Sequence, residues 1–172
     1  MYYTNPWYLI TLMGEPLFWL FFTSASLFFY IFFRKRLPEG KRELAKKVIA
    51  ISFISVFLTG LIVLSIKIVY PVERPCAACS PGQTEGCNPY CLGDNSFPSG
   101  HTSVTFAFFT SLVLVLRKKR YLGFLALPVL VGLSRIFLEV HHPLDVFAGM
   151  IIGVTVAIIS YEVFKRRYNS FF

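Results

Sequence analysis

From Val48 to Ile66 the chain runs nineteen residues without a charge and then meets Lys67. A helix of that length crosses roughly 30 Å of hydrocarbon. Soluble domains rarely carry such a run, and here 55% of the 172 residues are hydrophobic with a mean hydropathy of +0.61. The sequence describes an integral membrane protein. Four further apolar stretches accompany the first, and together they place spans at about residues 17–33, 48–66, 98–116, 121–138 and 146–164. The fold class is therefore all-α: a single polytopic membrane helical bundle over residues 1–172, of about five transmembrane helices. The third and fourth spans are joined only by Arg117, Lys118, Lys119 and Arg120 and read as a helical hairpin. In the last span, Gly149 and Gly153 are four apart and form a small-residue face for close helix packing.

The leader "MYYTNPWYLITLMGEP" contains no Lys or Arg, so a cleaved secretory signal is not expected there. Its Tyr and Trp residues suit an N-terminal interfacial segment at headgroup depth.

Alternating spans assign each loop to one side. Fourteen of the seventeen basic residues then fall together, in segments 34–47, 117–120 and 165–167. The positive-inside rule turns that side to the cytoplasm. Topology and contact with anionic lipid account for these clusters, and no nucleic-acid partner is expected. The opposite side keeps only Lys67, Arg74 and Arg135 among Glu15, Glu73, Glu85, Asp94, Glu139 and Asp145. Three cations that do nothing for topology, each at or near a helix end, point to an anionic ligand.

The same side gathers chemistry. Lys67 ends the second span, with Pro71 stopping that helix ahead of Arg74. Pro98, Ser99, Gly100 and His101 open the third span, where unsatisfied N–H groups and the helix dipole favour an anion and Gly100 permits close backbone approach. Ser134 and Arg135 close the fourth, and "HHPLD", His141 to Asp145, opens the fifth with Pro143 suited to its first turn. Arginine offers a planar fork to phosphate oxygens and lysine a point charge, so this set can neutralise a phosphoryl group without a metal ion. One imidazole can attack phosphorus while another protonates the departing oxygen and later activates water. His141 has Asp145 four residues on, so the carboxylate can hold one ring nitrogen and leave the other nucleophilic. The assignment is His141 as nucleophile, Asp145 as its orienter and His101 as acid, then base. His142 reads as a cap or a headgroup contact.

Three stretches, "KIVYPVERP" (Lys67 to Pro75), "PSGH" (Pro98 to His101) and "SRIFLEVHHPLD" (Ser134 to Asp145), resemble the signature motifs of the type-2 phosphatidic acid phosphatase family. The resemblance covers about residues 67 to 145 and implies a helical-bundle membrane enzyme that removes phosphate from lipid phosphates or diphosphates. It also implies a phosphohistidine intermediate and no metal or other cofactor. By the same resemblance His141 is nucleophile, His101 general acid and Asp145 the partner of His141. Lys67, Arg74, Ser99, Gly100 and Arg135 are implied as phosphate ligands. Membrane members usually have six spans, and this chain offers five.

Among such enzymes the chain resembles bacterial ones of the inner membrane with a periplasm-facing site. Lipid A 1-phosphate is the favoured substrate, with undecaprenyl diphosphate and phosphatidylglycerol phosphate as alternatives. A lipid phosphotransferase would use the same residues, and a non-enzymatic lipid-phosphate carrier is the contrasting reading.

Cys76, Cys79, Cys87 and Cys91 lie within the outward loop 67–100. Their spacing would also suit a zinc knuckle, yet outside the cytoplasm disulfides persist. Two disulfides are expected, in any of three connectivities, stiffening a loop that holds Pro81, Gly82, Gly86 and Pro89.

Overall fold

The computed structural model describes residues 6–77, 79–80, 86–91 and 95–167. The first residues of the leader, together with Pro81, Gly82, Glu85 and Asp94 of the cysteine loop, lie outside them. The described residues form six α-helices: α1 (Pro6–Leu12), α2 (Pro16–Phe33), α3 (Glu39–Val69), α4 (Gly100–Leu116), α5 (Ala126–Phe137) and α6 (Pro143–Arg167). This is the helical bundle that the apolar runs require.

Local chemistry sets the boundaries. Pro16 and Pro143 each open a helix where their missing N–H goes unneeded. In α3 an acidic first turn at Glu39 and a basic last turn at Lys67 both complement the helix dipole. The helix stops at Val69, ahead of Pro71. At its far end α4 closes with Arg117 in the left-handed region at φ 52°, its N–H donating to the Val113 carbonyl at 3.1 Å. The fourth span departs from the expected single helix over 121–138. Lys119–Leu125 is 3-10 helical and only Ala126–Phe137 is α. Pro128 is the third residue of α5, and proline is tolerated only in the first turn, so the α-helix cannot reach further back without losing a hydrogen bond.

Among the described residues, four helices are long and apolar enough to cross a membrane: Pro16–Arg36, Glu39–Val69, Lys119–Phe137 and Pro143–Arg167. The fifth apolar helix, α4, has 17 residues. It is the central helix, packed against α2, α3, α5 and α6, and most of its length is buried in protein. The lipid-facing work falls to the others, whose outer surfaces carry Phe21, Phe28, Phe32, Leu64 and Ile159.

The seam between α4 and α6 is the tightest packing in the bundle. A Cβ on Gly153 would stand 2.2 Å from the Ser103 carbonyl oxygen and 2.9 Å from the Ala107 nitrogen, and one on Gly149 would stand 2.8 Å from the Ser99 carbonyl oxygen. The expected small-residue face is therefore a packing face, with backbone against backbone. Elsewhere Trp19, Val56, Val104 and Phe109 form one core cluster and Ile51, Val115 and Tyr161 another. Ser52 and Ser111 exchange a hydrogen bond of 2.8 Å between α3 and α4.

The leader is tied to the bundle as well. Trp7 of α1 stacks on Phe137 of α5 with ring centroids 4.3 Å apart, and Tyr8 lies 5.0 Å from Tyr90 of the loop.

Two glycine substitutions test this seam. Gly153→Val should lower the thermal unfolding midpoint in detergent, by an overpacking cost of about 1–3 kcal/mol or more. Gly60→Ala, where an added Cβ meets nothing within 4 Å, should leave the midpoint unchanged or slightly raised.

Candidate active site

The ends of α3, α4, α5 and α6 that carry the motif residues lie on one side of the bundle's connectivity, and the basic clusters lie at the opposite helix ends. Lys67 sits in the last turn of α3 and Arg135 in the last turn of α5, while His101 is in the first turn of α4 and Asp145 in the first turn of α6. Arg74 comes from the loop between α3 and α4, and His141 from the turn before α6.

His141 is buried, 3% exposed, with a different partner at each ring nitrogen. Nδ1 lies 3.4 Å from Asp145 Oδ2 and 3.3 Å from Ser96 Oγ. Nε2 lies 3.4 Å from Arg74 Nη1, and the same guanidinium nitrogen donates to the Val140 carbonyl at 2.9 Å. Asp145 Oδ2 also accepts from the Ser96 hydroxyl and, at 2.9 Å, from the His142 N–H. That last bond is half of a capping box. His142 is the residue before Pro143, and the carboxylate three positions on reaches back to its N–H. The expectation of a cap at His142 thus describes its backbone.

Burial pushes the proton affinity of His141 down to a pKa of about 4. The Asp145 hydrogen bond opposes that effect, while the positive charges of Arg74 and Arg135 reinforce it. The ring is neutral at pH 7 and can attack through a bare nitrogen.

His101, on α4, faces a carboxylate of its own. Its Nε2 lies 3.1 Å from Glu15 Oε2, in the turn between α1 and α2. Arg74 and Arg135 are close enough to both histidines to act on each electrostatically. Arg135 is 4% exposed, and its Nη1 donates to the Thr11 hydroxyl at 2.6 Å. Lys67 donates to the Asn95 carbonyl, and Asn95 Nδ2 returns a bond to the Lys67 carbonyl at 2.5 Å. The Asn95 side chain thereby caps the end of α3, and its Oδ1 accepts from the Val72 and Phe97 N–H groups.

Ser99 is fully buried, its hydroxyl 3.0 Å from Thr102 Oγ1 and its N–H donating to the Asp145 carbonyl at 3.0 Å. That backbone bond ties the start of α4 to the start of α6. At Gly100 an added Cβ would meet only Val63 and Pro16, at 3.7 and 3.8 Å, so packing within the chain does not require the glycine.

The loop cysteines form two nested disulfides, Cys76–Cys91 and Cys79–Cys87. No cluster of residues suited to hold a metal ion occurs among the described residues. Cys76 is two residues beyond Arg74, and Asn88, inside the outer disulfide, donates from Nδ2 to the Leu138 carbonyl at 2.7 Å. The cross-linked loop is thereby fastened to the turn that carries His141.

Among the partners of motif residues, Thr11, Glu15, Asn95 and Ser96 were not assigned a role by the sequence. Each lies outside the motifs, and its role appears only when distant segments meet. Glu15 registered in sequence only as one of the outward-facing charges.

The model of the PAP2 superfamily matches residues 48–169. A lipid A 1-phosphatase of Rhizobium johnstonii is 27% identical over 165 residues, covering 92% of this chain and 66% of the relative. A second lipid A 1-phosphatase, from Rhizobium etli, is 26% identical and covers 92% and 70%. The chain thus spans about two thirds of the length of these curated relatives. An undecaprenyl-diphosphatase of Sulfolobus acidocaldarius is 34% identical over 70 residues, 41% of this chain and 34% of that one. The crystal structure of Aquifex aeolicus LpxE superimposes with a TM-score of 0.56 at 28% identity, covering 90% of this chain and 93% of that chain. The matched region contains all three motifs and every helix end that carries a site residue, so the chain belongs to the PAP2 superfamily.

Proposed function

We propose that the chain is a metal-independent lipid phosphatase of a bacterial inner membrane, acting through a phosphohistidine on a phosphate held at the outer, periplasmic interface. The observation that carries this reading is His141: buried, neutral, held through Nδ1 by Asp145 and Ser96, with Nε2 turned toward the Arg74 guanidinium.

In the first step the lone pair of His141 Nε2 forms a bond to phosphorus as the bond from phosphorus to the lipid oxygen breaks. His101 gives that oxygen a proton. In the second step a water oxygen bonds to phosphorus, His101 takes back a proton, and the P–N electrons return to His141 as phosphate leaves. Asp145 stabilises the positive ring of the intermediate, as a carboxylate does behind a nucleophilic or basic histidine elsewhere. Lys67, Arg74 and Arg135 neutralise the charge that spreads over the equatorial oxygens. Gly100, free of any packing requirement, leaves room for a phosphate at the first turn of α4, and Ser99 fixes that turn to α6. The 3.4 Å separations around His141 are long for hydrogen bonds, as is common in free enzymes, and would tighten in the complex.

Orientation rests on charge. Segments 34–47, 117–120 and 165–167 would face the cytoplasm, and the disulfides belong to an oxidising compartment. For the substrate, the matches that cover 92% of this chain are to lipid A 1-phosphatases, which favours lipid A 1-phosphate. Undecaprenyl diphosphate is the second reading, supported by the match over 41% of the chain.

Phosphate release from lipid A, undecaprenyl diphosphate and phosphatidylglycerol phosphate, measured in detergent with chelator present, tests the substrate order, with lipid A the best. His141→Ala should lower turnover by roughly a thousandfold or more while lipid binding persists. Full turnover in that variant would remove the nucleophile, and loss of wild-type activity on chelation would overturn the metal-free mechanism.

The buried histidine also sets a pH dependence of stability. Its folded pKa of about 4 lies below the ordinary 6.5, so between those values the unfolded chain binds a proton that the folded chain refuses. Stability is full above pH 6.5 and should fall as the pH drops toward 4, by up to about 3 kcal/mol. Thermal unfolding across this range should show the decline, and His141→Gln should flatten it.

A further inference from the structure

The carboxylate at His101 comes from a turn whose position is heavily determined. Arg135 holds Thr11, the Gly14 N–H donates to the Thr11 carbonyl at 2.8 Å, and Trp19 Nε1 donates to the Met13 carbonyl at 2.6 Å. Stacking of Trp7 on Phe137 fastens the helix before it. Gly14 is the point of closest approach. A Cβ there would lie 2.5 Å from Val131 Cγ1 and 3.0 and 3.1 Å from His101 Cβ and Cδ2. Only a residue without a side chain lets the turn rest against the Cδ2 edge of the imidazole and bring Glu15 to Nε2. With that edge against the turn, Nδ1 lies on the opposite edge of the ring.

The charged groups that act on His101 from its surroundings are Glu15 of the turn, Arg135 of α5 and Arg74 of the loop. Two of these are cations, and Glu15 is the anion among them. The His101 hydrogen bond, together with the charges of His101 and Arg135, holds the Glu15 carboxyl below the usual carboxylate range, so it is ionised at neutral pH.

We propose that Glu15 is the positioning residue of the proton donor, accepting Nε2–H from the His101 imidazolium and directing Nδ1–H at the leaving oxygen. This rests on the reading of His101 as general acid. As the bond between phosphorus and the leaving oxygen breaks, the Nδ1 proton passes to that oxygen and its bonding pair stays on the ring. Nε2–H remains with Glu15 throughout. In the second step Nδ1 takes a proton from the attacking water, restoring the imidazolium. Each histidine then has a carboxylate behind it, Asp145 for His141 and Glu15 for His101.

The test compares a substrate that needs a proton donor with one that does not: dodecyl phosphate, with a poor alkoxide leaving group, and p-nitrophenyl phosphate, with a good one. Both are assayed on the full chain in detergent with chelator. Glu15→Gln should lower kcat on dodecyl phosphate roughly 10- to 100-fold but on p-nitrophenyl phosphate by less than about threefold. The basic limb of its kcat profile should move down by about one pH unit, because the imidazolium has lost its counter-charge. Glu15→Asp should restore part of both effects. Gly14→Ala, which keeps the carboxylate but displaces the turn, should reproduce the loss confined to the poor leaving group. Equal losses on both substrates with an unmoved basic limb would mean a structural role and overturn the proposal. Failure of the wild type to release phosphate from either substrate, or a His101→Ala variant with no leaving-group selectivity, would instead strike the general-acid reading, and the proposal with it.

Discussion

The site depends on the contact between the backbones of α4 and α6. Gly149 and Gly153 let the two helices meet without intervening side chains, and the Ser99 N–H closes the seam at its end by donating to the Asp145 carbonyl. That bond joins the residue before His101's helix to the carboxylate residue that holds His141. Two groups some forty residues apart in sequence are thus referred to a single rigid element. Close packing transmits small displacements rather than absorbing them, so the spacing of the two imidazoles is fixed deep in the bundle.

Around that seam the cations sit at different depths. Arg135 is nearly fully buried, and taking a guanidinium out of water is costly unless its donors are met. Thr11 meets one, and the Glu15 carboxylate is close enough to Arg135 for their charges to interact. Under the proposed function, cations held in this way would be preorganised for a multiply charged anion. The desolvation would already be done before a phosphate arrived, and the donors would need little reorganisation during reaction.

Much of this was legible in the sequence because it is local or periodic. Apolar length located the spans, prolines located three of the helix boundaries, and the spacing from His141 to Asp145 anticipated the contact that the fold makes. The small-residue pair in the last span was correctly a packing face. The break in the fourth span was less visible, because 3-10 and α segments share an apolar composition and differ only in where Pro128 can be accommodated. The pairing of four cysteines could not be chosen from spacing. Thr11, Glu15, Asn95 and Ser96 were invisible for a different reason. Each is an ordinary polar residue whose meaning is given by what stands opposite it, and sequence order holds no record of that. The leader, read as an interfacial segment, turned out to supply a carboxylate to the motif histidine through a turn that only Gly14 permits.

The nested disulfides have a consequence for how the pocket comes into being. Arg74 lies in a long crossover between α3 and α4, a stretch whose free conformational entropy would leave the guanidinium with many places to be. Cross-linking Cys76 to Cys91 and Cys79 to Cys87 shortens the free path of that crossover, and Asn88 fastens the closed loop to the Leu138 carbonyl. By loop-closure entropy a reduced loop would hold Arg74 on a longer tether than the oxidised one. The two cross-links thus constrain the position of one guanidinium rather than the packing of the helices.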